Sequence, residues 1–384
     1  MYLGLDLGTS GLKALLIDED QNLVAEATAP LSVSRPHPSW SEQDPAHWIE
    51  AAVKAVTALG AKTALDGVKG IGLSGQQHGA TILDASHNPL RPAILWNDTR
   101  AGAEAAELDA IKGVREKVGS IIFAGFTAPK LVWAARHEPQ VFDKTALVLL
   151  PKDFLRLWLT GDAMSEPSDA SGTGWFDVSR RAFCDELLSH CNMTMAQMPG
   201  VVEGSEVSGS LRAEVASKLG LPAGIPVAGG GGDNAASAVG MGVTVPGRAF
   251  VSLGTSGVVF ASSDSFEPAP ETAVHTFCHA LPRTWHQMGV ILAATDTLNW
   301  FARLVDEDPA ALTNELGPLK APGRPLFLPY LGGERTPINA PNARAALIGL
   351  AHETDQAAAT RAILEGVTFA VCDSRDALAA CGTA

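Results

Sequence analysis

The spacing of apolar residues near the start of the chain predicts alternating strands and helices. Apolar runs at residues 2–7 and 12–17 flank a glycine turn and predict a β-hairpin. Residues 45–59 then place apolar side chains at helical spacing, with Asp44 as the predicted N-cap, and residues 68–73 predict a further strand. This alternation predicts an α/β fold.

The pattern of the opening hairpin returns in the second half of the chain. Residues 248–260 are apolar on both sides of a second glycine turn. Residues 6–11 (DLGTSG) and 252–257 (SLGTSG) are identical at five of six positions. We interpret this recurrence as an internal duplication, which predicts one domain at residues 1–243 and a second at residues 244–384.

Composition narrows the class of protein. The 384 residues suit two domains, and 42 acidic against 28 basic residues give a net charge of −14, which disfavours nucleic-acid and anionic membrane partners. The N-terminus lacks a secretory pattern, so we expect a cytoplasmic protein. The five cysteines lack CxxC spacing and are expected to be buried, inert thiols.

The two glycine turns are candidate phosphate-binding elements. A turn of Gly, Thr and Ser presents backbone N–H groups and hydroxyls to an anion, although such a turn is also common as a plain β-turn. Asp6 lies at the end of the first strand, beside the turn. A carboxylate there would repel a bound phosphate unless a divalent cation lay between the two groups. The sequence therefore predicts Mg²⁺ at Asp6, with a turn cap as the alternative.

Asp233 is the candidate general base. It follows four glycines at the predicted start of a helix, Asp233–Gly240, and can act either as a helix N-cap or as the acceptor of a proton from a substrate hydroxyl. Because consecutive glycines cost backbone entropy, we expect a ligand to approach residues 229–232 closely. This expectation favours the role of base.

Two polar loops predict a pocket for a polyol. Residues 75–79 (GQQHG) and 96–100 (WNDTR) follow predicted strands, the usual position of ligand contacts in open α/β sheets. The sequence contains no GxxxxGK[ST] motif, which excludes a P-loop.

These motifs together resemble the FGGY carbohydrate kinases and, within that family, its xylulokinase branch. The resemblance runs almost from residue 1 to residue 380. It rests on residues 5–10, 74–79, 94–100, 125–130 (GFTAPK), 150–153 (LPKD), 168–173, 231–234, 252–257 and 327–337.

The resemblance implies an actin-like ATPase fold of two duplicated ribonuclease-H-like domains, the first binding the sugar and the second the nucleotide. It implies transfer of the γ-phosphate of ATP, with Mg²⁺, to the small-molecule substrate D-xylulose. The residue roles that it implies are Asp233 as the base for the O5 hydroxyl, Asp6 in catalysis and metal binding, Gln77, His78, Asp233 and Asn234 as sugar contacts, and Thr9, Ser10, Gly254 and Thr255 as phosphate contacts.

The chain departs from the family pattern in two places. Gln77 stands where many xylulokinases have Met. Members of the family also continue beyond this chain's end with a strand and an adenine-binding glycine loop, so the second domain is expected to be truncated, with weak ATP binding and an exposed apolar surface that favours a homodimer. The alternatives are a non-catalytic sugar-binding protein and a kinase for ribulose, gluconate or glycerol.

Overall fold

The computed structural model of the protein describes residues 1–383. The chain divides into two compact units. Unit 1 comprises Met1–Gly242 and Phe277–Trp285, and unit 2 comprises Val243–Thr276 and the chain from His286 onward. Membership of Phe277–Trp285 in unit 1 was not predictable from the sequence, because local periodicity does not reveal which core an apolar segment packs against.

Unit 1 combines strands with helices that cover them. Its strands are β1 (Tyr2–Leu7), β2 (Gly11–Ile17), β3 (Leu23–Pro30), β4 (Glu42–Gln43), β5 (Ile71–Gly75), β6 (Thr81–Leu83), β7 (Ala93–Ile94), β8 (Leu147–Leu149), β9 (Met164–Ser165), β10 (Phe176–Asp177), β11 (Ala182–Phe183), β12 (Gly200–Val201), β13 (Val207–Ser210), β14 (Pro226–Ala228) and β15 (Gly231–Gly232). Its α-helices are α1 (Pro45–Gly60), α2 (Gly102–Asp109), α3 (Val114–Val118), α4 (Thr127–His137), α5 (Pro139–Phe142), α6 (Pro151–Thr160), α7 (Pro167–Ala170), α8 (Asp185–Ser189), α9 (Ala213–Leu219) and α10 (Asp233–Gly240).

The main sheet of unit 1 has the strand order β13-β14-β5-β1-β2-β3, with β15 also paired to β5. Strands β1, β2 and β3 are antiparallel, whereas β5 is parallel to β1 and β14. Alternate side chains of β1, including Leu3, Leu5 and Leu7, are buried in the core. The parallel register pairs Asp6 with Ser74 and therefore brings the ends of β1 and β5 together.

Several predicted elements of unit 1 are confirmed. The β1–β2 hairpin and α1 are present, and the Asp44 carboxylate accepts a hydrogen bond from Ala46 N–H at 2.9 Å as an N-cap. The strand predicted at residues 68–73 begins later, at Ile71, because pairing with β1 starts there while Val68 is buried outside the strand.

Unit 2 has its own sheet. Its strands are β16 (Ala249–Leu253), β17 (Gly257–Ser263), β18 (His275–Cys278), β19 (Trp285–Ile291), β20 (Leu326–Leu328) and β21 (Ala346–Ile348), and its helices are α11 (Thr295–Val305), α12 (Pro309–Asn314) and α13 (Gln356–Ala380). Four strands form a sheet in the order β16-β17-β19-β18. The predicted second hairpin is confirmed by the antiparallel pairing of β16 with β17.

The edge of the unit 2 sheet is formed by β16, whose residues are mostly exposed. Val251 and Leu253 are 51% and 56% exposed, which is unusual for strand residues of this type. In unit 1 the corresponding strand β1 lies between two neighbours. The equivalent strands of the two hairpins therefore differ in how far they are covered within their own units.

The cysteines are free thiols, as expected from their spacing. Cys191 and Cys278 are buried, and burial raises the pKa of each thiol to about 12. The expectation of burial is wrong for the other three, Cys184, Cys372 and Cys381, which are only partly buried. Across the described residues, none of the helices combines the length and apolar character that a membrane span requires.

Candidate active site

Asp233 is the first residue of α10 and directly follows β15, which runs parallel to the end of β5. Gly232 occupies the N-cap position, so the alternative interpretation of Asp233 as the N-cap is wrong. Asn234 donates from its backbone N–H (2.7 Å) and from its side-chain amide (3.0 Å) to the same oxygen of the Asp233 carboxylate. The neighbouring residue thus orients this carboxylate.

The electrostatic surroundings of Asp233 suit a general base. Burial raises the pKa of its carboxyl to about 6; the hydrogen bonds from Asn234 oppose that shift, and the negative charge of Asp6 adds to it. A base is most effective when its pKa lies near the working pH, because it is then ionised and still binds a proton readily. Asp6 and Asp233 are therefore close enough to interact electrostatically.

Four glycines precede Asp233, and the protein's own backbone approaches two of them closely. A Cβ added at Gly229 would lie 2.3 Å from the carbonyl oxygen of Glu203, and one at Gly230 would lie 2.1 Å from that of Leu73. Gly230 also has a φ of 76°, in the left-handed region. At Gly229 and Gly230 the protein's own backbone thus leaves no room for a side chain, and the approach of a ligand to residues 229–232 stays a prediction.

Ser168 on α7 connects the loop after β5 to the start of α10. Its carbonyl oxygen accepts a hydrogen bond from Gln77 Nε2 at 3.0 Å, and its hydroxyl oxygen accepts one from Gly232 N–H at 3.0 Å. One buried residue therefore bonds both Gln77 and Gly232, the residue that precedes Asp233.

His78 has a left-handed backbone conformation, with a φ of 65°. Its Nδ1 lies 2.7 Å from the carbonyl oxygen of Gly172, and its ring stacks on Phe126 with ring centroids 4.7 Å apart. Because a carbonyl oxygen only accepts, Nδ1 is the donor in this contact. The hydrogen bond and the stacking together fix the orientation of the ring.

A buried ionic cluster supports the glycine segment, and the sequence analysis did not assign it a role. Arg156 Nη2 donates to the carbonyl oxygen of Gly229 at 2.6 Å and lies 3.2 Å from Asp153. Lys152 Nζ lies 2.7 Å from Asp153 and 3.3 Å from Asp169. The signal for this cluster is the occurrence of charged residues in the otherwise apolar pattern of α6, which we expect only where the charges are paired.

The first glycine turn engages the Thr9 side chain within the protein. Its hydroxyl donates to Gln76 Oε1 at 2.8 Å and accepts from the indole N–H of Trp96 at 3.0 Å. Among residues 1–383 the backbone N–H groups of Thr9 and Ser10 have no hydrogen-bond partner. These two N–H groups, and the exposed Ser10 side chain, are what the turn can offer to an anion.

The second glycine turn, in unit 2, differs in detail from the first. Gly254 N–H donates to Ser256 at 2.9 Å, and the Gly254 carbonyl oxygen accepts from Thr295 N–H at 2.9 Å. The first turn instead closes between Gly8 and Gly11. Gly254 therefore stabilises its turn, while Thr255 is exposed with its hydroxyl on the surface of unit 2.

Only part of the predicted polyol loop at residues 96–100 is available to contact a ligand. Asp98 is buried and accepts from Ser41 N–H at 2.6 Å, and Arg100 lies 2.7 Å from Asp98 and stacks on Trp40 at 3.6 Å. Both charged residues are thus committed to protein contacts. Trp96, which is 47% exposed, and Thr99, which is also exposed, are the members of this loop that a ligand can reach most easily.

An apolar cavity of unit 1 does not coincide with the predicted sugar contacts. It has a volume of about 360 Å³, and its wall includes Asp6 and Ser74 but not Gln77, His78 or Asp233. Within the described chain, no group of three or more His, Cys, Asp or Glu residues is arranged to hold a metal ion. A cation at Asp6 would thus need further ligands from a substrate.

Comparison with known proteins identifies the two halves of the chain. Residues 1–240 match the model for the N-terminal domain of the FGGY family of carbohydrate kinases, and residues 249–384 match the C-terminal domain of that family. The chain is 49% identical to a xylulose kinase of Escherichia coli (strain K12), over 100% of this chain and 79% of that protein. It is 50% identical to a xylulose kinase of Klebsiella pneumoniae, over 99% of this chain and 79% of that protein.

A solved structure agrees with these sequence matches. The crystal structure of a xyloylose kinase from Brucella ovis superposes with a TM-score of 0.97 at 58% identity, covering 100% of this chain and 80% of that one. The two-domain fold of the family is thereby established for this chain. These matches cover 100% of this chain and 79% and 80% of the two proteins, and by themselves they do not support the expectation of a truncated second domain.

Proposed function

The chain belongs to the FGGY family of carbohydrate kinases, and from this premise we propose that it transfers the γ-phosphate of ATP to D-xylulose. The two relatives that share about half of its residues are both named xylulose kinases, which supports this choice of sugar. The structural observation that carries the proposal is the half-buried Asp233, with its pKa of about 6, next to the Gln77–His78 loop.

The proposed reaction is a single displacement at phosphorus. Asp233 accepts the proton of the sugar O5 hydroxyl while that oxygen attacks the γ-phosphorus of ATP. A new P–O bond forms to the sugar, the bond from the γ-phosphorus to the bridging oxygen breaks, and ADP leaves with that electron pair. Asn234 holds the carboxylate of Asp233 in place through two hydrogen bonds.

Asp6 is the proposed protein ligand of Mg²⁺. Asp6 lies near the end of β1, where it pairs with Ser74 of β5, and its negative charge helps to raise the pKa of Asp233. Oxygen donors of this kind suit Mg²⁺, which is commonly held by one or two carboxylates together with substrate phosphates. The cation, when bound, neutralises charge on the phosphates.

Three further residues are proposed to bind the sugar. Gln77 and His78 follow β5, and Asn234 follows Asp233 on α10. Ser168 bonds to both Gln77 and Gly232, which supports a common site in unit 1. His78 is proposed to contact the sugar through its imidazole ring.

The nucleotide phosphates are proposed to contact the two glycine turns. Thr9 and Ser10 offer backbone N–H groups in unit 1, and Thr255 offers its side chain in unit 2. At Gly254 the missing side chain permits close approach of a phosphate. In this proposal residues 1–243 bind the sugar and perform catalysis, and residues 244–384 bind the nucleotide.

The finer fold assignment is also a proposal: an actin-like ATPase built from two duplicated ribonuclease-H-like domains. It is supported by the antiparallel β1-β2-β3 meander followed by parallel strands in unit 1, and by the second hairpin in unit 2. We further propose a homodimer, which the exposed edge of β16 supports, and a cytoplasmic location, which free thiols favour.

The alternatives are not favoured. Kinases for ribulose, gluconate or glycerol lack support from the relatives that are about half identical, and a non-catalytic sugar-binding protein would not need a carboxylate with the pKa of Asp233. The deciding experiment measures ADP formation with ATP, Mg²⁺ and a panel of D-xylulose, D-ribulose, gluconate and glycerol. D-xylulose should give the highest kcat/KM; sugar binding without product for every sugar would contradict the proposal.

A further inference from the structure

A buried lysine touches the backbone of the proposed sugar-binding loop. Lys130 lies in the first turns of α4, and its side chain is 0% exposed. Its ammonium donates to the carbonyl oxygen of His78 at 2.8 Å and to that of Gly125 at 2.6 Å. Two neutral carbonyl groups, rather than a carboxylate, thus accept its hydrogen bonds.

The position of Lys130 is unfavourable for stability alone. Burial lowers the pKa of its ammonium well below the ordinary value, with the negative charge of Asp98 opposing that shift. A cation near the N-terminus of a helix is also repelled by the helix dipole. A buried apolar residue of similar length would avoid both costs.

The residues around Lys130 hold His78 from several sides. The His78 carbonyl oxygen also accepts from Thr127 Oγ1 at 3.1 Å, and its ring stacks on Phe126. A Cβ added at Gly172 would lie 2.3 Å from His78 Nδ1, so this glycine leaves room for the ring. The left-handed backbone of His78 costs energy in a residue with a side chain and persists only when its surroundings impose it.

We propose that Lys130 is a positioning residue for sugar binding: its ammonium holds the carbonyl group of His78 and thereby fixes the imidazole in the orientation that meets the sugar. This inference rests on the proposed function of the Gln77–His78 loop. Lys130 acts through His78 and does not itself touch the sugar. Its loss should weaken sugar binding selectively, whereas a merely structural role would affect sugar and nucleotide alike.

Three variants of the full chain test this assignment. Lys130→Met removes the ammonium at nearly constant length, Lys130→Arg keeps a cation that can donate to carbonyls, and Thr127→Val removes the second side-chain donor to His78 without a change in charge. Lys144→Met is the matched control, because Lys144 is exposed. Each variant is first compared with the wild type by thermal unfolding.

The test compares the constants for the sugar, Kd and KM, with the KM for ATP. Lys130→Met should raise the calorimetric Kd and the KM for D-xylulose about tenfold or more, with the KM for ATP within about twofold. Lys130→Arg should recover part of the loss, Thr127→Val should raise the sugar KM by about threefold to tenfold, and Lys144→Met should change neither constant. A folded Lys130→Met protein with unchanged sugar affinity, or with equal losses for sugar and ATP, overturns the assignment.

If Lys130→Met does not fold, Thr127→Val provides the test. An unchanged KM for D-xylulose in Thr127→Val also overturns the assignment of Lys130 as a positioning residue. A second readout does not depend on turnover: the ring-proton NMR signal of His78, identified by its absence in His78→Asn. Lys130→Met or Thr127→Val should shift this signal as the ring moves on Phe126, and an unshifted signal contradicts the inference. If the wild type prefers another sugar, the proposed function fails while the NMR test of Lys130 still stands.

Discussion

Asp233 combines a carboxylate oriented by Asn234 with a pKa close to neutrality. A base must be ionised to accept a proton, and a raised pKa means that protonation begins at higher pH than for an ordinary aspartate. We therefore expect kcat/KM for D-xylulose to be level above pH 7 and to fall about tenfold per unit well below pH 6. A profile that stays level to pH 5 would contradict the role of Asp233.

The hydrogen bonds from Asn234 give a second test at the scale of single residues. Asn234→Ala removes the side-chain hydrogen bond and keeps the one from the backbone N–H; because the lost bond lowers the pKa of Asp233, the acidic limb of the same profile should move to higher pH. The titration of ATP affects the wild type and the variant equally. The difference between the two pH profiles therefore reports the titration of groups on the enzyme. An acidic limb that does not move, or moves to lower pH, would refute this electrostatic coupling.

The types of the candidate site residues were predictable from the sequence, but their contacts were not. Asp6 and Asp233 stand out because a carboxylate beside a glycine turn is unusual. For Arg156 the sequence offers only a charge within the apolar pattern of α6, and neither Arg156 nor Lys130 reveals its partner, since each bonds a carbonyl group more than forty positions away in sequence. Such contacts depend on tertiary packing, which local patterns do not encode.

At the scale of elements, the glycine segment before α10 tests how the sheet positions the base. Gly230→Ala would place a Cβ 2.1 Å from the Leu73 carbonyl oxygen at a left-handed φ, so we expect a loss of about 2–4 kcal/mol in urea denaturation, with reduced kcat. Gly240→Ala is the control, because nothing lies within 4 Å of the added atom. Equal stability of the two variants would show that the segment relaxes freely.

Elements with clear periodicity were predicted well. The two hairpins and α1 follow directly from apolar spacing and the Asp44 cap, and α10 spans the predicted residues Asp233–Gly240. The start of β5 was misplaced because a buried apolar residue, Val68, precedes the point where strand pairing begins. The apolar pattern reports burial, whereas the bounds of a strand depend on its partner.

At the scale of the whole molecule, the proposed division of labour predicts different patterns of hydrogen exchange for the two ligands. D-xylulose alone should slow amide exchange at residues 74–79 and 232–236 of unit 1. A non-hydrolysable ATP analogue with Mg²⁺ should slow exchange at residues 8–11 and 253–257. Slowing at the second turn by the sugar alone, with none near Asp233, would contradict the assignment of sugar binding to unit 1.

The central claim is that Asp233 is the base of a sugar kinase, and its most direct test is the rate of D-xylulose 5-phosphate formation by Asp233→Asn. We expect Asp233→Asn to lower kcat by about 10²–10⁴ while the calorimetric Kd for D-xylulose stays within about threefold of the wild-type value. Asp66→Asn, at an exposed turn position, should match the wild type. A kcat within tenfold of wild type, or a loss of sugar affinity as large as the loss of rate, would contradict the claim.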